Sequence, residues 1–244
     1  MFGLHLKKCF FDWIRNITSV LLSNLAYVLI AVFTVLSILA IGEINSAGTL
    51  ILIAIIVMLV DLVSLGVSGL SFGWVRLGKP WIRDFFHPIK THFTHFLLKW
   101  LIDFASLSAV IIGIPYYLTI LSIIGYGSAL ICFWFGILSF LTMQFYYPLS
   151  TMMEKDKPVT TLKKSVVIMW DNLGYAFLLG LKCIFEMVVT IFTAGFVPGF
   201  AGINISRACM TKFLMLRYTY MEENKIDKRS TDWDSVLTEE REQN

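Results

Sequence analysis

Four ionisable side chains interrupt long apolar stretches of this 244-residue chain: Asp61, Lys182, Glu186 and Arg207. A charge at the centre of a helix entering lipid costs roughly 2.5 to 3.5 kcal/mol, so four of them need partners. Two are acidic and two basic, which permits full neutralisation. Lys182 and Glu186 are four apart and share one helix face. The pairing expected from the sequence is Glu186 with Arg207, and Lys182 with Asp61 or Glu186. Such a cluster is either a mid-membrane site for a solute or ion or a structural ionic lock. Asn204 joins the cluster on its own helix, and Asn24, Thr190 and Gln144 offer further hydrogen bonds between helices. Lys99 and Asp103, also four apart, read as an interfacial pair, while Lys212 and Arg217 can snorkel toward headgroups.

Other chemistry is poorly represented. His92 and His95 share a helix face with His87 nearby, yet no cysteine or carboxylate has ligand spacing beside them, so no metal site is assigned. There is no H-E-x-x-H, no G-x-S-x-G and no P-loop, and nothing sets a nucleophile beside a base. The expectation is a protein that is not an enzyme and carries no cofactor. Cys9, Cys132, Cys183 and Cys209 form no Cys-x-x-Cys pair and read as small apolar packers.

The elements that must position these residues are membrane helices. From Phe104 to Met153, 50 residues pass without Asp, Glu, Lys, Arg or His. A soluble helix must show water a polar face, whereas a bilayer core about 30 Å thick needs roughly 20 apolar residues per span. Composition agrees: 57% of residues are hydrophobic, 15% are charged, and the mean hydropathy is +0.74. The spans expected are Ile17 to Ile41, Thr49 to Val75, Leu97 to Ile124 with a kink at Pro115, Ser128 to Tyr147, Asn172 to Ala194, and one from after Gly199 to near Tyr218. Gly125-Tyr126-Gly127 is the expected turn between the third and fourth. The fold class is thus all-α, a polytopic protein of six transmembrane helices in three hairpins.

Two amphipathic elbows join the hairpins. In the first, Lys79, Trp81, Arg83 and Lys90 read as lipid-surface residues, with Pro88 opening the third span. In the second, Pro148 to Asp171, Lys163 and Lys164 play that part. Gly66, Gly69 and Gly73 form a small-residue face that lets another backbone approach. The expected outer turns, 42 to 48, 125 to 127 and 195 to 199, hold no Lys or Arg, so the positive-inside rule puts both termini in the cytoplasm. Residues 1–220 carry 16 basic and 9 acidic side chains, a net +7, and form the membrane domain. Residues 221–244 carry 4 and 8, a net −4, and read as a disordered tail. The basic body implies a lipid partner and no nucleic acid.

Phe10-Phe11-Asp12-Trp13, Lys79-Pro80 and Lys157-Pro158 each lead into an odd-numbered span, a pattern compatible with three repeated units and equally with any positive-inside hairpin protein. The run Trp81-Ile82-Arg83-Asp84-Phe85-Phe86, then Tyr146-Tyr147-Pro148-Leu149, Thr161-Leu162-Lys163-Lys164-Ser165 with Asn172, and Arg217-Tyr218 resembles the YesL-like family of bacterial integral membrane proteins. Gly42-Glu43-Ile44-Asn45 and the acidic tail depart from that pattern. The resemblance implies six helices, a bacterial inner membrane and association with carbohydrate uptake systems. The function expected is a transport-associated membrane protein, as an accessory or a small transporter. The alternative is a scaffold that binds anionic lipid through its elbows and a protein partner from the cytoplasm or within the membrane.

Overall fold

The computed structural model describes residues 2–41, 46–75, 80–193 and 199–224, and among these it is helical with no strand. Five helices are long and apolar enough to cross a bilayer, which makes this a multi-pass membrane protein by length and composition. They are α2 (Ile17–Ile41), α3 (Ser46–Val75), α5 (Phe93–Ser108) with its continuation α6 (Ile114–Thr119), α7 (Ile123–Met152) and α9 (Leu173–Phe192). Three shorter helices lead into them: α1 (Phe2–Arg15), α4 (Ile82–Thr91) and α8 (Pro158–Asp171). The last, α10 (Gly199–Asn224), is long but carries Arg207, Lys212 and Arg217, and its face from Ala201 to Leu214 is almost wholly buried.

The short helices mark one end of the bundle. Arg15 ends α1 and donates through Nη2 to the Trp74 carbonyl at the end of α3 (3.0 Å), which satisfies one of the acceptors a helix leaves open there. His95 on α5 reaches the Asp156 carbonyl between α7 and α8 (3.0 Å). Arg217 and Tyr218 on α10 meet Asn172 and Asp171 at the α8–α9 junction. This elbow end is solid. Phe145, Tyr146 and Leu149 of α7, Leu65 and Trp74 of α3, and Met210 and Leu214 of α10 are fully buried there. Toward the other end, α7 presents Ile123, Ile124, Ile131 and Phe133 outward, as a helix wetted by lipid would.

Several boundaries differ from expectation. The turn between the third and fourth spans is Ile120 to Ser122, not Gly125-Tyr126-Gly127. Ser122 caps α7, accepting from the Gly125 N–H (3.2 Å), and a Cβ on Gly125 would collide with the Ile120 carbonyl, so that glycine serves a close approach within the helix start. Pro148 lies inside α7, which runs on to Met152, and the second elbow is accordingly shorter. Pro88 lies inside α4, and the third span opens at Phe93. The expected kink at Pro115 takes the form of a π-turn, Ala109–Gly113, immediately before it. Proline lacks an N–H and crowds the carbonyl four residues back, and a wider turn accommodates both.

The small-residue face of α3 receives α4. A Cβ on Gly69 would lie 2.5 Å from the Asp84 carbonyl and from Pro88, one on Gly66 2.5 Å from the Phe85 ring, and one on Gly73 3.0 Å from Pro80. The first elbow therefore climbs along α3 by about 10 Å, seven residues at 1.5 Å each. Residues 42–45, with most of the expected outer turn, Lys79, residues 194–198 and the tail beyond Asn224 lie outside the described residues.

Candidate functional site

Asp61 sits near the midpoint of α3, about 20 Å from either end, where an unpaired carboxylate is least tolerable. Its partner is Lys99, whose Nζ stands 2.5 Å from Asp61 Oδ1 and also bonds Asp103 Oδ2 one turn further along α5. The Asp61 and Lys99 side chains are 4% and 6% exposed, and Asp103 is 27% exposed. The Lys99 ammonium also lies 4.8 Å from the Tyr147 ring centroid, a further stabilisation by the ring face. Trp100 fixes α5 against α3 by donating from Nε1 to the Ala54 carbonyl (3.0 Å).

This corrects the expected pairing. Lys99 is a buried residue that bridges Asp61 and the half-buried Asp103, and Lys182 does not reach Asp61. The climb of α4 along α3 explains it: α5 starts partway up α3, about 9 Å to the elbow side of Asp61, so Lys99, six residues into α5, meets Asp61. Lys182 pairs with Glu186 on its own helix (3.3 Å) and donates to Ser206 Oγ (2.6 Å), which in turn contacts Glu186 (3.0 Å). Arg207 is not the partner of Glu186. Among the described residues it makes no ion pair, its Nε is buried with no hydrogen-bond partner, and its side chain lies near Cys183. One residue is about 100° of helix, so Cys183 turns toward Arg207 while Lys182 turns toward α1.

A cavity of about 440 Å³ opens where these elements diverge. Asp61 and Ser64 of α3, Lys99 and Asp103 of α5, and Asn204 and Arg207 of α10 supply its polar lining. Among the described residues, Asp61 Oδ2 is buried without a hydrogen-bond partner. A hydroxyl relay ties two walls together: Tyr27 of α2 shares a hydrogen bond with Ser64 (2.9 Å) and accepts from Asn204 Nδ2 (3.1 Å). The tie is reinforced by Asn24, whose Oδ1 accepts from the Ala201 N–H at the start of α10 (2.8 Å). Gly199 there has φ +66°, and a Cβ would collide with Asn24. Thr190 accepts from the Gly199 N–H (3.0 Å), whereas Gln144, fully buried on α7 beside Gly180, has neither amide atom bonded among the described residues.

A second cavity, about 560 Å³ and mainly apolar, lies between α1, α9 and α10, with Lys182, Glu186 and Ser206 at its wall. Asp12 closes that corner from α1, flanked by Lys8 (3.6 Å) and Arg15 and accepting from Cys209 Sγ (3.6 Å). Burial raises its carboxyl above the usual range against the pull of Lys8.

At the elbows, Trp81, Arg83, Lys90 and Lys163 are exposed as expected of lipid-surface residues. Lys164 differs, since it is paired with Asp156 (2.6 Å). Asp84 accepts from the Trp81 N–H (2.7 Å) and starts α4. His92 and His95 do meet, with ring centroids 5.2 Å apart, but His95 spends one nitrogen on Asp156 and faces Tyr146 Oη (3.3 Å) with the other. Among the described residues, no three His, Cys, Asp or Glu side chains converge as metal ligands. No protein-family model, curated protein or solved structure matches the chain.

Proposed function

We propose that this chain is a non-enzymatic membrane protein that admits a small polar solute into a cavity at mid-bilayer, either as a small transporter or as the solute-recognising accessory of an uptake system. The observation that carries this reading is the lining of one cavity: Asp61, Lys99, Asp103 and Arg207 share its wall while one carboxylate oxygen and one guanidinium nitrogen stay unmatched. A purely structural lock would gain by matching every buried charge. In this reading α10 is a sixth span whose Arg207 is tolerated because the bundle shields it, and the helices form three pairs, each led by a short amphipathic helix. The placement of Lys and Arg at the elbow end favours termini in the cytoplasm, and the resemblance to the YesL-like family favours a bacterial inner membrane.

Single cysteines at Val60 and Met187, treated in membranes with a water-soluble maleimide, test the reading. Labelling at both supports a hydrated cavity; labelling at neither sinks it. A scaffold is the second reading, favoured by the exposed Trp81, Arg83 and Lys90 on one elbow and the exposed Lys163 on the other, which suit anionic headgroups. It leaves room for a protein partner at the acidic tail.

A further inference from the structure

We propose that the solute is a zwitterion with an apolar body, an aliphatic or aromatic amino acid, whose ammonium is held by Asp103 and Asp61 and whose carboxylate is held by Arg207. This rests on the cavity reading above and names the substrate class.

Lys99 answers both carboxylates with a single positive charge, so the α3–α5 wall keeps one net negative. Arg207 on α10 is a cation with no carboxylate partner among the described residues. The cavity sums to zero, but its charges are held apart. A simple anion would suit Arg207 and be repelled by the aspartates, and a simple cation would meet the reverse. A sugar's hydroxyls can hydrogen-bond each group but neutralise neither. A zwitterion answers each.

The helix register supplies the spacing. Ser64 and Asn204 stand at one level because both hydrogen-bond the Tyr27 hydroxyl. Asp61 is one turn beyond Ser64 away from the elbow end, and Arg207 one turn beyond Asn204 toward it. At 1.5 Å per residue the two are staggered by about 9 Å along the bundle. That offset is between backbone positions; two charge-assisted hydrogen bonds of about 2.8 Å and the short ammonium-to-carboxylate span of one α-amino acid are of the same order, and Asp61, Asp103 and Arg207 all line the one cavity. Asp61, nine-tenths buried with Oδ2 unsatisfied, is the group that gains most from a donor. Apart from Ser106, the remaining wall, including Val60, Leu107, Phe140 and Met187, is apolar, and a volume of about 440 Å³ leaves room for a side chain against it.

The test is equilibrium binding of tritiated L-leucine and L-phenylalanine to the purified full-length chain in nanodiscs. One or both should bind saturably. Analogues lacking one charge, 4-methylpentanoate and 3-methylbutylamine for leucine, should compete at least about tenfold less well, as should glucose. Arg207→Gln and Asp103→Asn should each weaken binding about tenfold. Phe140→Trp, which fills the cavity without touching a charge, should abolish binding while the thermal unfolding temperature holds. Absence of saturable binding by both amino acids overturns the proposal, as does equal competition by a single-charge analogue or by glucose. Maleimide labelling of Ser106→Cys separates the two readings. Labelling without amino-acid binding leaves an accessible cavity and removes only the zwitterion; no labelling removes both.

Discussion

Replacing Lys99 with methionine keeps an apolar stem of similar length and deletes the ammonium that joins α3 to α5. Both ion contacts run to one nitrogen, so the two acceptor oxygens stand at most about 5 Å apart, and their repulsion at an effective dielectric of 20 is about 3 kcal/mol. Protonating one carboxylate relieves it, at about 4 kcal/mol for an ordinary aspartate at pH 7. The expected destabilisation of Lys99→Met is therefore about 3 to 4 kcal/mol at pH 7. It should shrink to under about 2 kcal/mol at pH 5, where protonation is cheaper. Asp61→Asn should cost less, about 1 to 2 kcal/mol, because Lys99 retains Asp103. The assay is denaturant titration of the purified protein in micelles, followed by tryptophan fluorescence. If Lys99→Met costs no more than Lys90→Met on the exposed face of α4, or if its cost is the same at both pH values, the buried-cluster reasoning is refuted.

Gly69→Ala should displace α4 and destabilise the fold by more than about 2 kcal/mol, whereas Gly127→Ala, with open space around its Cβ, should stabilise by about 0.5 to 1 kcal/mol; thermal unfolding of the two variants checks the contrast. Asn24→Ala should cost about 1 to 2 kcal/mol by leaving the Ala201 N–H uncapped, measured in the same way. His92 is buried beside His95, and burial, more than the neighbouring histidine, pushes its pKa below the usual 6.5 against the opposing pull of Glu154. The folded state thus binds its proton less tightly than the unfolded chain does, so this contribution is complete above pH 6.5 and is lost as pH falls from there through the lower folded value. Unfolding temperatures between pH 8 and pH 5.5 should show a slope that His92→Gln reduces.

Apolar run length made the helices legible in the sequence: α2 has the expected ends, and the irregularity before Pro115 comes from the chemistry of that ring. The depth of Asp61 was equally plain from its place in α3. Its partner was not. Counting residues from the start of a span assumes every span starts at the same level, and α4 breaks that assumption by climbing the glycine face of α3 and lifting Lys99 to Asp61. The Lys182 and Glu186 pair was readable because it lies on one helix, while the separation of Arg207 from Glu186 depends on helix rotation, which spacing within α10 cannot reveal. Gly125 and Gly127 read as a turn because glycine serves both turns and close contacts, and only the neighbouring Ile120 carbonyl tells which.

The π-turn at Ala109–Gly113 holds one more residue than an α-helical turn would. Shortening the chain by one there converts it to ordinary helix and re-aims only the C-terminal portion of the span, Tyr116, Tyr117 and the approach to α7. The same deletion between Lys99 and Asp103 would swing one of them a third of a turn away from Asp61. Tolerance to insertion and deletion along this one helix is therefore lopsided, forgiving past Gly113 and severe before Ser106.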